Sequence, residues 1–395
     1  MLRPWLACLL LMLALLPLQA LADAVRIGLS APFSGDSVAH GLSLRSGARL
    51  AVTQLNHAGG VLGRPLQLVE LDDRGSMEQG AQVAQALIET HRVVATVGMV
   101  NTGVALASQR HYQMARIPVI TAAATGSLLT RQFHPPEHPD NFVFRVAASD
   151  ALQARAMVSE AVQRRGLTRL AIFHDATNSG QLGREDLISE LAHHGLGPVL
   201  VERVGTRPAD TTAPLLRARE AGAQALLVYG AGPELMHLVA QFRQMHWTVP
   251  VIGNSALGMP GFIGAAGPLA EDLLSPHTFI ADPALAQARD FMQALEAHDA
   301  GQPVAVPAAA AQGYDAVLLL TAAIRQAGST DGDAIREALE NLTEPVRGVI
   351  MRYERPFNKD THETLRDSAD LLMGVVRDGQ LLIAHPEERQ RAATR

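Results

Sequence analysis

Four stretches of the chain place hydroxyl, amide or imidazole groups where an apolar run gives way to a polar loop. They are Pro32 to His40 (PFSGDSVAH), Val97 to Ser108 (VGMVNTGVALAS), Thr121 to Ser127 (TAAATGS) and His174 to Gly183 (HDATNSGQLG). Groups of this kind bind polar solutes by hydrogen bonds. Ser, Thr, Asn and Asp at a helix start also cap free amides whether or not a ligand is present, so residue type alone leaves both roles open at Asn101, Thr102 and Ser179. The third stretch differs. Small alanine side chains after an apolar strand leave backbone N–H and C=O groups open, and the apolar run beyond Ser127 is expected to open a helix whose positive end faces the same corner. Ala123 and Thr125 are therefore expected to form a cradle that holds a carboxylate by amides and hydroxyls, without an arginine.

Catalytic patterns are missing from the sequence. GNSALG, Gly253 to Gly258, lacks the spacing of a nucleophile elbow, and neither a phosphate loop nor a dinucleotide fingerprint occurs. In HPPEH, His134 to His138, two prolines forbid the helix that would put both imidazoles on one face, so a solvated loop is expected. His193 and His194 end a helix, where they suit its dipole. Asp72, Asp73 and Asp175 end strands with no nucleophile or metal set beside them. The expectation is a binding protein without enzymatic activity, cofactor or metal.

The loops need rigid elements behind them. From Val25 onward short apolar runs alternate with amphipathic segments, which predicts βα units and parallel sheets. Strands VRIGLSA, LQLVELDD, VVATVG and IPVITA make a first series, which closes near Arg145 to Ala147. A second series starts with the helix ALQARAMVSEAVQRRG and runs through strands RLAIFHD, PVLVERV, ALLVYG and VPVIG. In such sheets ligands sit beyond the carboxyl ends of strands, where all four loops fall. Helices PALAQARDFMQALEAH and AAAAQGYDAVLLLTAAIRQAG have no strand between them and are expected to cover the first sheet, while the end of the chain reads as strand and hairpin. The fold class is α/β, with two doubly wound, Rossmann-like lobes: residues 23–147 with 278–353, and residues 148–277 with 354–395. Two or three crossover strands would join them as a hinge.

Length and charge agree. A chain of 395 residues is long for one core and suits two domains. The formal net charge of −6, with Lys359 the only lysine, argues against a nucleic-acid partner, which needs clustered basic surface. MLRPWLACLLLMLALLPLQALA carries one positive charge at Arg3, an apolar run and the small-x-small pattern Ala20-Leu21-Ala22. Residues 1–22 are therefore read as a secretory signal cleaved before Asp23. Cys8, the only cysteine, precedes most of the apolar run, out of place for a lipid anchor, and its removal leaves a mature chain without disulfides.

The segments IGLSAPFSGD, GARLAVTQLNHAGGVLGRPLQLVELDD, VVATVGMVNTGVALA, IPVITAAATGSLLT, FRVAASDALQA, LAIFHDATNSGQLGRE, VYGAGPEL and GYDAVLLLTAAI follow one another in a specific order and spacing. In these the chain resembles the periplasmic solute-binding proteins of ABC importers, in the branched-chain amino acid and amide group typified by the leucine/isoleucine/valine-binding protein. The resemblance runs over essentially the whole mature chain. It implies the type I periplasmic-binding fold, with three crossovers and closure on a ligand held between the lobes. It also implies a periplasmic monomer whose partners are a small-molecule ligand and the permease and ATPase subunits of an ABC importer. Thr102, Ala123 and Thr125 match the family positions that hold the ligand's carboxylate and amino group.

Other positions depart from the family pattern. His40 stands where leucine-binding members place an aromatic residue, Ser179 replaces the tyrosine before Gly180, and the next aromatic position falls on Ala231 with Tyr229 close by. The acid that pairs with a ligand ammonium falls at Ser255, beside Asn254. A buried ammonium without a carboxylate is costly. Either Asp150 or another acid substitutes, or the ligand is not a simple α-amino acid but an amide or small carboxylate. Alternatively, the same fold serves as a periplasmic sensor that reports to a signalling partner.

Overall fold

The structure, a computed structural model, describes residues 23–134, 136–205, 211–230 and 234–394; the expected signal segment and Ala231 lie outside the described residues. The first series forms β1 (Val25–Ala31), α1 (Val38–His57), β2 (Leu66–Asp72), α2 (Met77–Gln85), β3 (Ala95–Gly98), α3 (Thr102–Ala115), β4 (Val119–Thr121) and β5 (Val143–Arg145). The five strands pair in parallel in the order β2-β1-β3-β4-β5.

The second series forms α4 (Asp150–Val158), β6 (Leu170–His174), α5 (Asn178–His193), β7 (Leu200–Arg203), α6 (Thr212–Glu220), β8 (Ala225–Tyr229), α7 (Glu234–Gln244), β9 (Val251–Gly253), α8 (Pro260–Ala266) and β10 (Leu274–His277). Then come α9 (Ala286–His298), α10 (Pro307–Ala327), α11 (Gly332–Glu340), a two-stranded ribbon of β11 (Val346–Arg347) and β12 (Arg352–Tyr353), the hairpin β13 (Leu372–Arg377) and β14 (Gln380–Ile383), and α12 (Pro386–Thr394). The second sheet runs β14-β13-β10-β9-β8-β6-β7, with β13 and β14 antiparallel at one edge.

Helices cover both faces of the central strands, which have no solvent side and read as continuous apolar runs, whereas the edge strand β7 exposes Val201 and Arg203. Every residue of β3, β6 and β8 is buried. α9 and α10 share one core with α1, β1 and β3, as expected of cover for the first sheet. The hydropathy of α10 would suit a membrane span, yet most of it is buried in that core. Three helices, α8, α11 and α12, escaped the sequence. α11 is held by the Asp331 cap on Ala334 N–H (3.1 Å), and α12 is polar along its length but anchors at Glu388, whose carboxylate accepts Met373 N–H at 2.6 Å.

The chain crosses between the sheets three times, after β5, after β10 and between β12 and β13. The first and third crossings are zipped together. Arg145 N–H donates to the His362 carbonyl (2.9 Å), and Thr364 N–H donates to the Arg145 carbonyl (3.1 Å). A hinge of short backbone segments results, the arrangement that absorbs a domain rotation in a few dihedrals.

One local expectation fails. No helix follows Ser127; residues 127–133 wind into successive turns, with Leu129 N–H on the Gly126 carbonyl and Gln132 N–H on the Leu128 carbonyl. Arg131 Nε and the Thr130 hydroxyl tie these turns to Ser127 O and Glu363, bonds that favour local turns over a continuing helix. The Thr125 corner therefore gets no helix dipole from its own segment; the first turn of α4 faces it instead, with Asp150 N–H on the Thr125 carbonyl (2.7 Å) and Ala151 N–H on Ser127 Oγ (2.8 Å).

Candidate functional site

Strand order reverses between β1 and β3 in the first sheet and between β6 and β8 in the second. Loops leaving neighbouring strands at such a point diverge to opposite faces and leave a crevice at the carboxyl ends. The four polar loops leave β1, β3, β4 and β6, so topology brings them to one place.

The corner after β4 is held from three directions. Ala122 N–H donates to Gly98 O (2.8 Å) and Ala124 N–H to Met99 O (3.1 Å), so these amides are engaged, contrary to the open backbone the alanine run suggested. Gly126 N–H donates to the Thr102 hydroxyl at 3.2 Å. Arg145, fully buried, donates one guanidinium nitrogen to the carbonyls of Thr125 (3.0 Å) and Gly126 (2.7 Å) and pairs with Glu363 through another. What the small residues provide is close approach. A Cβ on Gly126 would sit 2.4 Å from Thr102 Cγ2.

Four of the eight expected site residues, His40, Ala123, Thr125 and Ser255, line one small cavity of about 40 Å³ between the two sheets. Gln153, Met259, His277, Thr278, Ala308 and Gln312 complete much of its wall, and none of them was anticipated. Gln153 lies one turn beyond Asp150 on α4, a spacing that could have suggested it; Met259 comes from the segment before α8, His277 and Thr278 from the end of β10 and the crossing after it, and Ala308 and Gln312 from α10. Gln153 Oε1 accepts Ser255 N–H at 3.0 Å, Gln312 donates to the Thr278 hydroxyl at 3.2 Å, and His277 Nε2 meets Ser275 Oγ at 2.8 Å. Burial pushes both His40 and His277 down to about 4, so both imidazoles are neutral at pH 7. Among the described residues that line the cavity, no side chain is an acid, an arginine or a lysine.

The other expected residues stand behind this wall. Thr102 braces the Gly126 amide. Asn101 occupies the cap position of α3 but makes no capping bond; its Nδ2 donates instead to Ser37 Oγ (3.1 Å), because the loop after β1 offers that hydroxyl. Thr177, not Ser179, caps α5. Ser179 donates to Asp150 Oδ1 (3.3 Å) and lies 3.5 Å from the Thr125 hydroxyl, while the buried Tyr229 hydroxyl donates to the same Oδ1 at 2.8 Å. Asp150 Oδ2 is buried without a partner of good geometry. Burial raises the Asp150 carboxyl to about 6 against the opposing pull of Thr125, Tyr229 and Arg145.

These contacts also join the lobes. Thr125–Ser179 and the bond from Ser127 Oγ to Asp186 on α5 (2.5 Å) link the β4 corner to the second sheet's helices. The arrangement can enclose a small solute among neutral donors and acceptors contributed from both sides. Among the described residues, no group of three or more His, Cys, Asp or Glu side chains converges to hold a metal ion.

The sequence and fold have known counterparts. Residues 24–371 match the periplasmic binding protein family model. The chain is 29% identical over 319 residues to Leu/Ile/Val-binding protein homolog 3 of Brucella melitensis, covering 80% of this chain and 82% of that one. It is 26% identical over 324 residues to the leucine-, isoleucine-, valine-, threonine- and alanine-binding protein of Pseudomonas aeruginosa, covering 82% and 83%. Among solved structures, the leucine-binding protein LivK of Thermotoga maritima superposes with a TM-score of 0.75 at 25% identity, over 92% of this chain and all of that one. The chain belongs to the periplasmic binding protein family, with the type I fold of the leucine-binding proteins, and is a solute-binding receptor.

Proposed function

We propose that the protein captures a small carboxylate or amide between its lobes by hinge closure and delivers it to an ABC importer. The observation that carries this is the cavity itself. It lies at the carboxyl ends of both sheets, is walled from both sides, and offers hydroxyl, amide and neutral imidazole groups but no acid. The Pseudomonas relative is named for amino acids. A simple amino acid brings an ammonium that needs a carboxylate beside it. Ser255 stands where the family resemblance places that acid, and Asp150 lies behind the wall, so a ligand without an ammonium fits better. Because Thr125 touches Ser179 across the cleft, a ligand gripped by both lobes favours the closed form, the species a permease reads.

The test is a thermal-shift screen of residues 23–395, stripped of bound solute by unfolding and refolding, against amino acids, amides and carboxylates, followed by calorimetry on the hits. A ligand at a thousand times its dissociation constant adds about 4 kcal/mol, a shift of several degrees. Hits among carboxylates or amides, weakened in Thr125→Val, are expected. Tight binding of α-amino acids with neither carboxylates nor amides would overturn the assignment.

A further inference from the structure

The cavity at Thr125 is too small for more than a head group. Its wall does not end there. Met259, His277 and Ala308 also line a second hollow, of about 260 Å³, that opens directly beside it. This hollow is apolar. Ile263 and Leu382 wall it from the second lobe, Val306 walls it at the start of α10, and Phe279 and Ala281, on the crossing after β10, form its floor. Ile263, Val306 and Phe279 are almost fully buried, whereas Gly379 and Gln380, at the β13–β14 turn, are exposed, so the groove meets solvent at that turn.

The geometry points to an amphipathic monocarboxylate as the ligand class, with its head at the Thr125 corner and its apolar body in this groove. The inference rests on the cleft as the binding site and specifies what the cleft takes. Polar groups cluster at the head end, and beyond His277 the groove walls are mostly methylene, methyl and ring carbon, with Gln380 the polar side chain at the exposed turn. An apolar body lying there meets α8 and β14 on one side and α10 on the other. Its burial therefore rewards closure in the same way the head does.

Calorimetry with butanoate, hexanoate and octanoate on the refolded mature chain tests this. Each buried methylene is expected to tighten binding about fourfold. Ala281→Trp fills the groove floor and should abolish the gain of octanoate over butanoate. Leu382→Asn, on an edge strand and half-buried, should reduce the same gain without filling anything, which guards against a misfolded tryptophan variant. A flat series, or a chain-length gain that survives both variants, overturns the groove while the cleft stands, provided butanoate still binds and Thr125→Val weakens it. If no member binds but amides do, the amphipathic carboxylate is wrong and the cleft again stands. Failure of every solute in the screen would take both down.

Discussion

Asp150 is a buried acid in contact with Thr125 of the cavity wall, and Asp150→Asn isolates what its charge costs. Asparagine keeps an acceptor for the Tyr229 and Ser179 hydroxyls and puts its amide where Oδ2 lacks a good partner. The carboxyl lies at about 6 in the folded chain against an ordinary 3.8, so between these values the native state holds a proton that the unfolded state has released. Stability contributed by this group therefore falls as pH rises from about 4 to about 6. The gap corresponds to roughly 3 kcal/mol by pH 7. The groups facing Asp150 are Arg145, which opposes the rise, and Tyr229 and Asp186. His40 and His277 titrate the other way in the same window, since a buried neutral imidazole loses stability as pH falls through the unfolded value near 6.5 towards 4. The wild-type profile alone is therefore ambiguous. The difference between Asp150→Asn and wild type, from urea unfolding of ligand-free protein at half-unit steps from pH 4 to pH 7, removes the histidines. It is expected to grow in favour of the variant by roughly 2 to 2.5 kcal/mol across that range. A difference that does not change with pH would refute the reasoning, because the carboxylate would then be as well solvated in the fold as in the unfolded chain.

Thr125→Val removes a hydroxyl from the cavity wall and should weaken a carboxylate or amide ligand by about 1 to 3 kcal/mol in calorimetry, with a small change in melting temperature. Gly126→Ala forces its Cβ against Thr102 Cγ2 and should part the β3 and β4 loops, lowering affinity at least tenfold while circular dichroism stays native. Arg145→Met leaves the half-buried Glu363 without its cation and frees two buried carbonyls, a loss of about 3 kcal/mol measured by denaturant unfolding. His277→Gln keeps a polar wall without an imidazole and should flatten part of the acid-side loss of stability between pH 6.5 and pH 4.

The alternation of apolar runs and amphipathic segments was enough to assign two parallel sheets, because strands covered on both faces must be apolar throughout, as β3, β6 and β8 are. The placing of polar loops at strand ends likewise pointed to the Thr125 corner, since strand direction fixes which ends face the crevice. Local signals gave less at the chain's margins. α12 carries no apolar stripe and is secured by long-range contacts, Glu388 to Met373 N–H, Glu387 to Arg164 and Arg389 to Asp282, which no window of sequence contains. The turns after Ser127 answer to Glu363, more than two hundred residues away. Which polar residues face the cavity was a tertiary decision. Thr102, Ser179 and Tyr229 have suitable side chains, but Gly126 N–H and Asp150 claim them, whereas Gln153, His277 and Gln312 reach the cleft because α4, β10 and α10 converge there. Residue type states which hydrogen bonds a side chain can make; only packing decides which partner arrives first, and what remains for a ligand.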